Sequence, residues 1–155
     1  MDDANLSALR HLAAAFRHAI ESARAERAPG ALPYFPDGAC RMTSRLLALH
    51  LARRPDGELF GPPQLVSGIL PDSASAVRHS WLEVDEVVVD LTADPFGEAP
   101  VLVGARTAFH ESLISPVVED AAAVLGSLGA AETERLTRQL AAIEARLSGF
   151  TSPAA

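Results

Sequence analysis

The stretch from His79 to Thr92 constrains the fold most. It reads His79-Ser80-Trp81-Leu82-Glu83-Val84, then Asp85-Glu86, then Val87-Val88-Val89-Asp90-Leu91-Thr92. Two runs rich in β-branched and aromatic residues around a polar pair have the form of a β-hairpin. With Asp85-Glu86 as a two-residue turn, Val84 pairs with Val87, Leu82 with Val89 and Ser80 with Leu91. Successive strand residues point to opposite faces, so Leu82, Val84, Val87, Val89 and Leu91 share one face. That face is uniformly apolar and must be the core side. The other carries His79, Trp81, Glu83, Val88, Asp90 and Thr92. In this register Trp81 faces Asp90, and His79 is the diagonal neighbour of Asp90, within side-chain reach. Asp-Glu is not the Asn-Gly or Asp-Gly of the tightest turns, so a longer loop is the alternative. A two-residue register shift keeps both faces, and the imidazole and carboxylate share a face in either case.

The second informative stretch is Phe35-Pro36-Asp37-Gly38-Ala39-Cys40 followed by Arg41-Met42-Thr43-Ser44-Arg45-Leu46-Leu47-Ala48-Leu49. It holds the only cysteine, placed where a loop turns into a helix. Asp37 is expected as the N-cap, which puts Cys40 near the third helical position. Unpaired N–H groups and the helix dipole favour thiolate over thiol there, so Cys40 should titrate below the free value of roughly 8.5. Gly38 leaves room for another backbone, or a substrate, to approach the sulfur. A lone cysteine taken by itself reads as a small buried hydrophobe; the histidine at 79 changes that reading.

Around these two stretches the chain alternates helical and extended patterns. Leu9, Leu12, Phe16, Ala19, Ile20 and Ala23 recur at helical spacing between Asn5 and about Arg27, with Asp3 or Asn5 as cap and Pro29-Gly30 as stop. His11 and His18 read as a solvated face of that helix. The cysteine helix should run to about Arg53 and stop before the turn signal Pro55-Asp56-Gly57. Gln64 to Leu70 reads as a strand and Pro100 to Gly104 as a shorter one. Ser115-Pro116 is expected to start a helix reaching Leu125. Leu136, Leu140, Ile143 and Leu147 mark a final amphipathic helix, and Gly149 onward reads as frayed tail. The 155 residues thus read as a single domain over 1–150 and a disordered tail at 151–155.

Composition excludes several classes. Net charge is −7 and all 13 cations are arginine, with no basic stripe, which argues against nucleic acid. One cysteine makes no internal disulfide. Met1-Asp2-Asp3 is not the basic start of a signal peptide, and no apolar run approaches the ~20 residues needed to span a bilayer. The expectation is a cytoplasmic protein that is not bound to a membrane.

Cysteine at a helix start, histidine opening a strand and an acid on the adjoining strand give the order Cys…His…Asp. The helix terminus and a nearby imidazolium hold sulfur as thiolate, histidine returns the proton to a leaving group, and the carboxylate fixes the ring's tautomer. The backbone N–H of Cys40 is a natural oxyanion donor. Asp94 has the same strand parity as Asp90. Asp90 is favoured because Val89 and Leu91 anchor it, whereas Asp94 precedes Pro95 and can turn to cap local N–H groups. His110 reads either as a second polar group at the site or as a hydrogen-bonded or exposed histidine.

Gly38-Ala39-Cys40 before an apolar helix, His79-Ser80-Trp81-Leu82-Glu83-Val84 and Val89-Asp90-Leu91-Thr92 together resemble the transglutaminase-like branch of the papain-like cysteine protease superfamily. That branch shows a cysteine at a helix start, a His-Ala-Trp-Val-Glu-like strand and a Val-Asp-Pro-Thr-like strand, and it includes small bacterial members such as the lasso-peptide leader proteases. Ser80 stands where alanine is usual and Leu91 where proline is common. The resemblance spans roughly Phe35 to Val103. It implies an α+β fold, with the cysteine on the N-terminus of a central helix packed on a mainly antiparallel sheet between N- and C-terminal helices. It also implies Cys40 as nucleophile, His79 as base and Asp90 as orienter. Tyr34, Gly38 and Trp81 are the candidate substrate-binding residues. The expected activity is cysteine-dependent acyl chemistry on a peptide or small amide substrate, by hydrolysis or transfer through a thioester, with no cofactor. The alternatives are a non-catalytic peptide-binding module and a metal site built from Cys40, His79 and Asp90 or His110. The metal reading lacks a recognisable ligand motif.

Overall fold

A computed structural model of the chain describes residues 1–54 and 60–147. It is an α+β structure, with five helices α1 (Asp3–Ala25), α2 (Cys40–Arg53), α3 (Ala108–Ser112), α4 (Ala121–Gly126) and α5 (Ala130–Leu147) among the described residues. The strands are β1 (Gln64–Ile69), β2 (Arg78–Val84), β3 (Val87–Asp90), β4 (Leu102–Gly104) and β5 (Ile114–Asp120). They form one sheet in the order β4-β3-β2-β1-β5, antiparallel throughout.

The hairpin adopts the tight register, with Val84 opposite Val87 and Leu82 opposite Val89. Asp85 and Glu86 both take left-handed conformations, φ 49° and 67°, as a two-residue turn matched to the strand twist requires. Leu82, Val84, Val89 and Leu91 are buried against the helices, in one core with Phe16, Ile20, Leu46, Leu47, Leu140 and Ile143. Helix α2 lies on β2, and α1 and α5 pack on each other at its side. The α1 cap is Asp2, one residue earlier than expected, whose Oδ1 accepts from the Asn5 N–H at 2.8 Å.

Residues 114–120 are a correction: the expected helix from Ser115 is an edge strand paired with β1, and only Ala121–Gly126 is helical. The Val117-Val118 pair favours a strand, and at an edge the missing N–H of Pro116 breaks no ladder in the sheet interior. Pairing passes from Ser67–Val117 to Ile69–Ile114, so Ser115 and Pro116 bulge opposite Gly68. A Cβ on Gly68 would lie 2.6 Å from Leu113 Cβ, so this close approach requires glycine. The Pro55-Asp56-Gly57 turn and the tail fall outside the described residues. No helix among the described residues is long and apolar enough to cross a membrane.

Candidate active site

Helix α2 begins at Cys40 itself, with Ala39 as its cap residue and no side-chain cap. Asp37 is exposed and Gly38 takes a left-handed turn, φ 63°, so the chain enters the helix later than an Asp37 cap would give. The Ala39 carbonyl accepts the first helical bond, from Thr43 N–H at 2.8 Å. Cys40 is therefore the first helical residue, where backbone N–H groups are without intrahelical partners. Ser44 Oγ lies 2.9 Å from the Cys40 carbonyl and 3.4 Å from the Ser80 carbonyl, tying the helix start to β2. Burial pushes the Cys40 thiol up; the hydrogen bond and charge of His79, with the backbone N–H groups of Ser80 and Arg41, outweigh it and hold the thiol below its ordinary value.

His79 has no exposed surface. Its Nε2 lies 2.6 Å from Asp90 Oδ2. Its Nδ1 is buried without a hydrogen-bond partner; with Nε2 taken by Asp90, it is the ring nitrogen left to serve the neighbouring Cys40 thiol. Trp81 stacks on the ring at 5.9 Å, and Phe96 and Phe109 close it from the sides at 5.1 and 5.4 Å. Burial alone would lower the imidazole pKa. The hydrogen bonds to Asp90 and Cys40 and their negative charges reverse that and raise it to about 9.

Asp90 is 1 % exposed, and both its oxygens are engaged. Oδ1 accepts from the Thr92 N–H at 2.9 Å and lies 3.3 Å from Thr92 Oγ1. Oδ2 takes His79 and, at 3.2 Å, His110 Nε2. Burial pushes this carboxyl up, but the hydrogen bonds from His110 and His79, the His79 charge and the Thr92 N–H bring it down to about 2. An isolated carboxylate buried this deeply would be costly; one with every acceptor site filled remains charged.

The geometry thus brings Cys40, His79 and Asp90 together from α2, β2 and β3. Asp94 is elsewhere: its carboxylate does not cap local N–H groups but forms a two-point bridge with Arg17, Nη1–Oδ1 2.8 Å and Nη2–Oδ2 2.9 Å. Among the candidate substrate-binding residues, Trp81 needs correcting. It is 1 % exposed, bonds Glu83 Oε1 through Nε1 at 3.0 Å and forms the wall behind His79, so substrate cannot touch it. Tyr34 is 80 % exposed, and a Cβ on Gly38 would meet no atom within 4 Å, so the space at Gly38, two residues before Cys40, is open. Among the described residues no group of three or more His, Cys, Asp and Glu is arranged to hold a metal ion.

Two residues of this constellation escaped the periodicity. Arg17 is a buried cation inside the α1 apolar stripe, bonded also to the carbonyls of Leu91 at 2.7 Å and Pro100 at 2.9 Å. Its place among Ala13, Phe16 and Ile20 was the available signal. His110 had a weaker one, Thr107 three residues ahead as a helix cap. Comparison with protein-family models, curated proteins and solved structures finds no match to this chain.

Proposed function

We propose that this chain is a cysteine-dependent acyl enzyme of the transglutaminase-like, papain-like kind, acting on a peptide or small amide. One observation carries the reading. The only cysteine sits at the first residue of a helix, its thiol held down by a fully buried histidine that is in turn hydrogen-bonded at 2.6 Å to a buried aspartate. The antiparallel sheet under a cysteine-bearing helix, with α1 and α5 flanking it, supports the papain-like assignment of the fold.

The chemistry follows from the two ring nitrogens. Nε2–H donates to Asp90, so Nδ1 is the nitrogen that exchanges a proton at the sulfur. In the resting pair Nδ1 carries the proton and Cys40 is thiolate. Sulfur attacks the substrate carbonyl carbon and forms the C–S bond, and the oxyanion is received by the Cys40 N–H at the start of α2. As the C–N bond breaks, the Nδ1 proton passes to the leaving amine. The product is a thioester and a neutral imidazole. Water or a second amine then attacks the thioester while Nδ1 takes its proton, the C–S bond breaks and thiolate returns. His79 and Cys40 are the catalytic residues; Asp90 acts through His79.

Burial of His79 favours one rival, a peptide-binding module in which the pair is a structural relic. Turnover of a nitrophenyl acetate separates the two. Catalysis predicts release of several equivalents of nitrophenol per chain, lost in Cys40→Ala and His79→Ala. A single slow acetylation of Cys40 that never turns over would support the binding module.

A further inference from the structure

We propose that His110 is a positioning residue, a fourth member of the constellation that locks the Asp90 carboxylate toward His79. This rests on the thiol reading above and goes beyond the three residues it uses. Nothing in the chemistry just described requires a second histidine, yet one is buried against the same oxygen.

The direction of its hydrogen bond is set by its own helix. The Thr107 backbone N–H donates to His110 Nδ1 at 3.3 Å, and Thr107 Oγ1 lies 3.0 Å from the same nitrogen. A nitrogen that accepts a backbone N–H holds no proton, so the ring proton is on Nε2, aimed at Asp90 Oδ2. The ring packs edge-on to Trp81 at 4.9 Å and to Phe109 at 5.5 Å, and the two Thr107 contacts select Nδ1 as the nitrogen turned away from Asp90. A buried histidine with both nitrogens satisfied is ordinarily only structural. Here the acceptor distinguishes it. Of all the oxygens it might serve, His110 binds the one that orients His79.

The mechanical consequence is specific. A carboxylate offers about four acceptor directions. In Asp90, Thr92 fills two on Oδ1, His79 fills one on Oδ2 and His110 fills the last. Without His110, Oδ2 is held only by the imidazole it is meant to position, and the carboxylate, anchored by Thr92 at Oδ1 alone, can turn and carry the ring with it. The charged and titratable groups around this unit are Cys40 from α2, His79 from β2, Asp90 from β3, Glu111 from α3 and the Glu83–Arg106 pair beside Trp81. Of these only His79 bonds Asp90.

The test reads the rate of Cys40 alkylation by iodoacetamide against pH in wild type, His110→Gln, His110→Phe and His79→Ala. The Gln amide nitrogen can stand where Nε2 stands, so H110Q should keep the wild-type acid limb. H110F should move that limb up by about half a pH unit or more and lower the rate near pH 6 about threefold, with the rate of the fully ionised thiol unchanged. Loss of a purely structural histidine lowers the melting temperature without moving the limb. A shifted H79A profile with an unshifted H110F profile overturns the inference. If H79A is unshifted as well, it is the thiol reading that has failed. Ring-nitrogen NMR of the wild type decides the matter even where H110F does not fold. At neutral pH His110 should carry its proton on Nε2 alone, and a proton on Nδ1 overturns the proposal.

Discussion

The two faces of the sheet are built on different principles. The helix-side face is a broad apolar core in which Leu82, Val84 and Val89 meet long, regular helices. The opposite face has a small apolar cluster of Val66, Trp81, Val88 and Leu113, surrounded by buried polar groups, His79, Asp90, Thr92 and His110. It is roofed by short pieces, the 3-10 turn Asp94–Phe96 and the five-residue α3. The apolar core stabilises without direction and can be repacked. The polar face does the reverse: its hydrogen bonds fix individual atoms, and each loss leaves a buried group unpaired. Arg17 links the two. From α1 it holds the chain after Asp90 through Leu91, Asp94 and Pro100, and its guanidinium lies 4.9 Å over the Phe35 ring in the loop leading to Cys40.

Three substitutions sharpen that contrast. Leu140→Ala empties a fully buried site on the helix face. It should cost about 2–5 kcal/mol in denaturant unfolding and leave the pH profile of Cys40 alkylation unchanged. A shifted profile would mean that the faces are mechanically coupled. Asp90→Asn removes the charge behind His79 and should slow alkylation near pH 6 tenfold or more, equivalent to about 1.4 kcal/mol. Asp94→Asn removes one of the two carboxylates that pair with Arg17, leaving Glu21, and should cost about 1 kcal/mol of stability, with alkylation within about twofold of wild type. A larger loss of thiol reactivity in Asp94→Asn than in Asp90→Asn would reverse the roles assigned to the two acids.

What could be read from the sequence divides along the same line. The hairpin faces were legible because period-two alternation across Leu82, Val84, Val87 and Val89 puts the apolar residues on one side, and the register followed from reading Asp85-Glu86 as a two-residue turn. The helix ends were legible from breakers, α2 at Arg53 as expected and α1 at Ala25, two residues before the expected Arg27. The strand at 114–120 was not, because Ser115-Pro116 is a helix-start signal and the sheet edge that overrides it is a tertiary partner 45 or more residues away, β1. Asp94 was equally opaque: local geometry offers it nearby N–H groups, and only packing of α1 supplies Arg17. His110 stayed open because a five-residue helix carries no periodicity to say which way its side chain faces.

The central claim is that Cys40 and His79 share a proton as thiolate and imidazolium. The direct measurement is the alkylation rate of Cys40 across pH in wild type and His79→Ala. The thiolate forms as pH rises through the lowered thiol value, and its partner keeps its proton until about 9. Wild type should therefore react readily near pH 6 and stay level to about pH 9, while the variant's acid limb moves toward the free-thiol value of about 8.5. A wild-type profile already centred near that value, and superimposable on His79→Ala, would contradict the account.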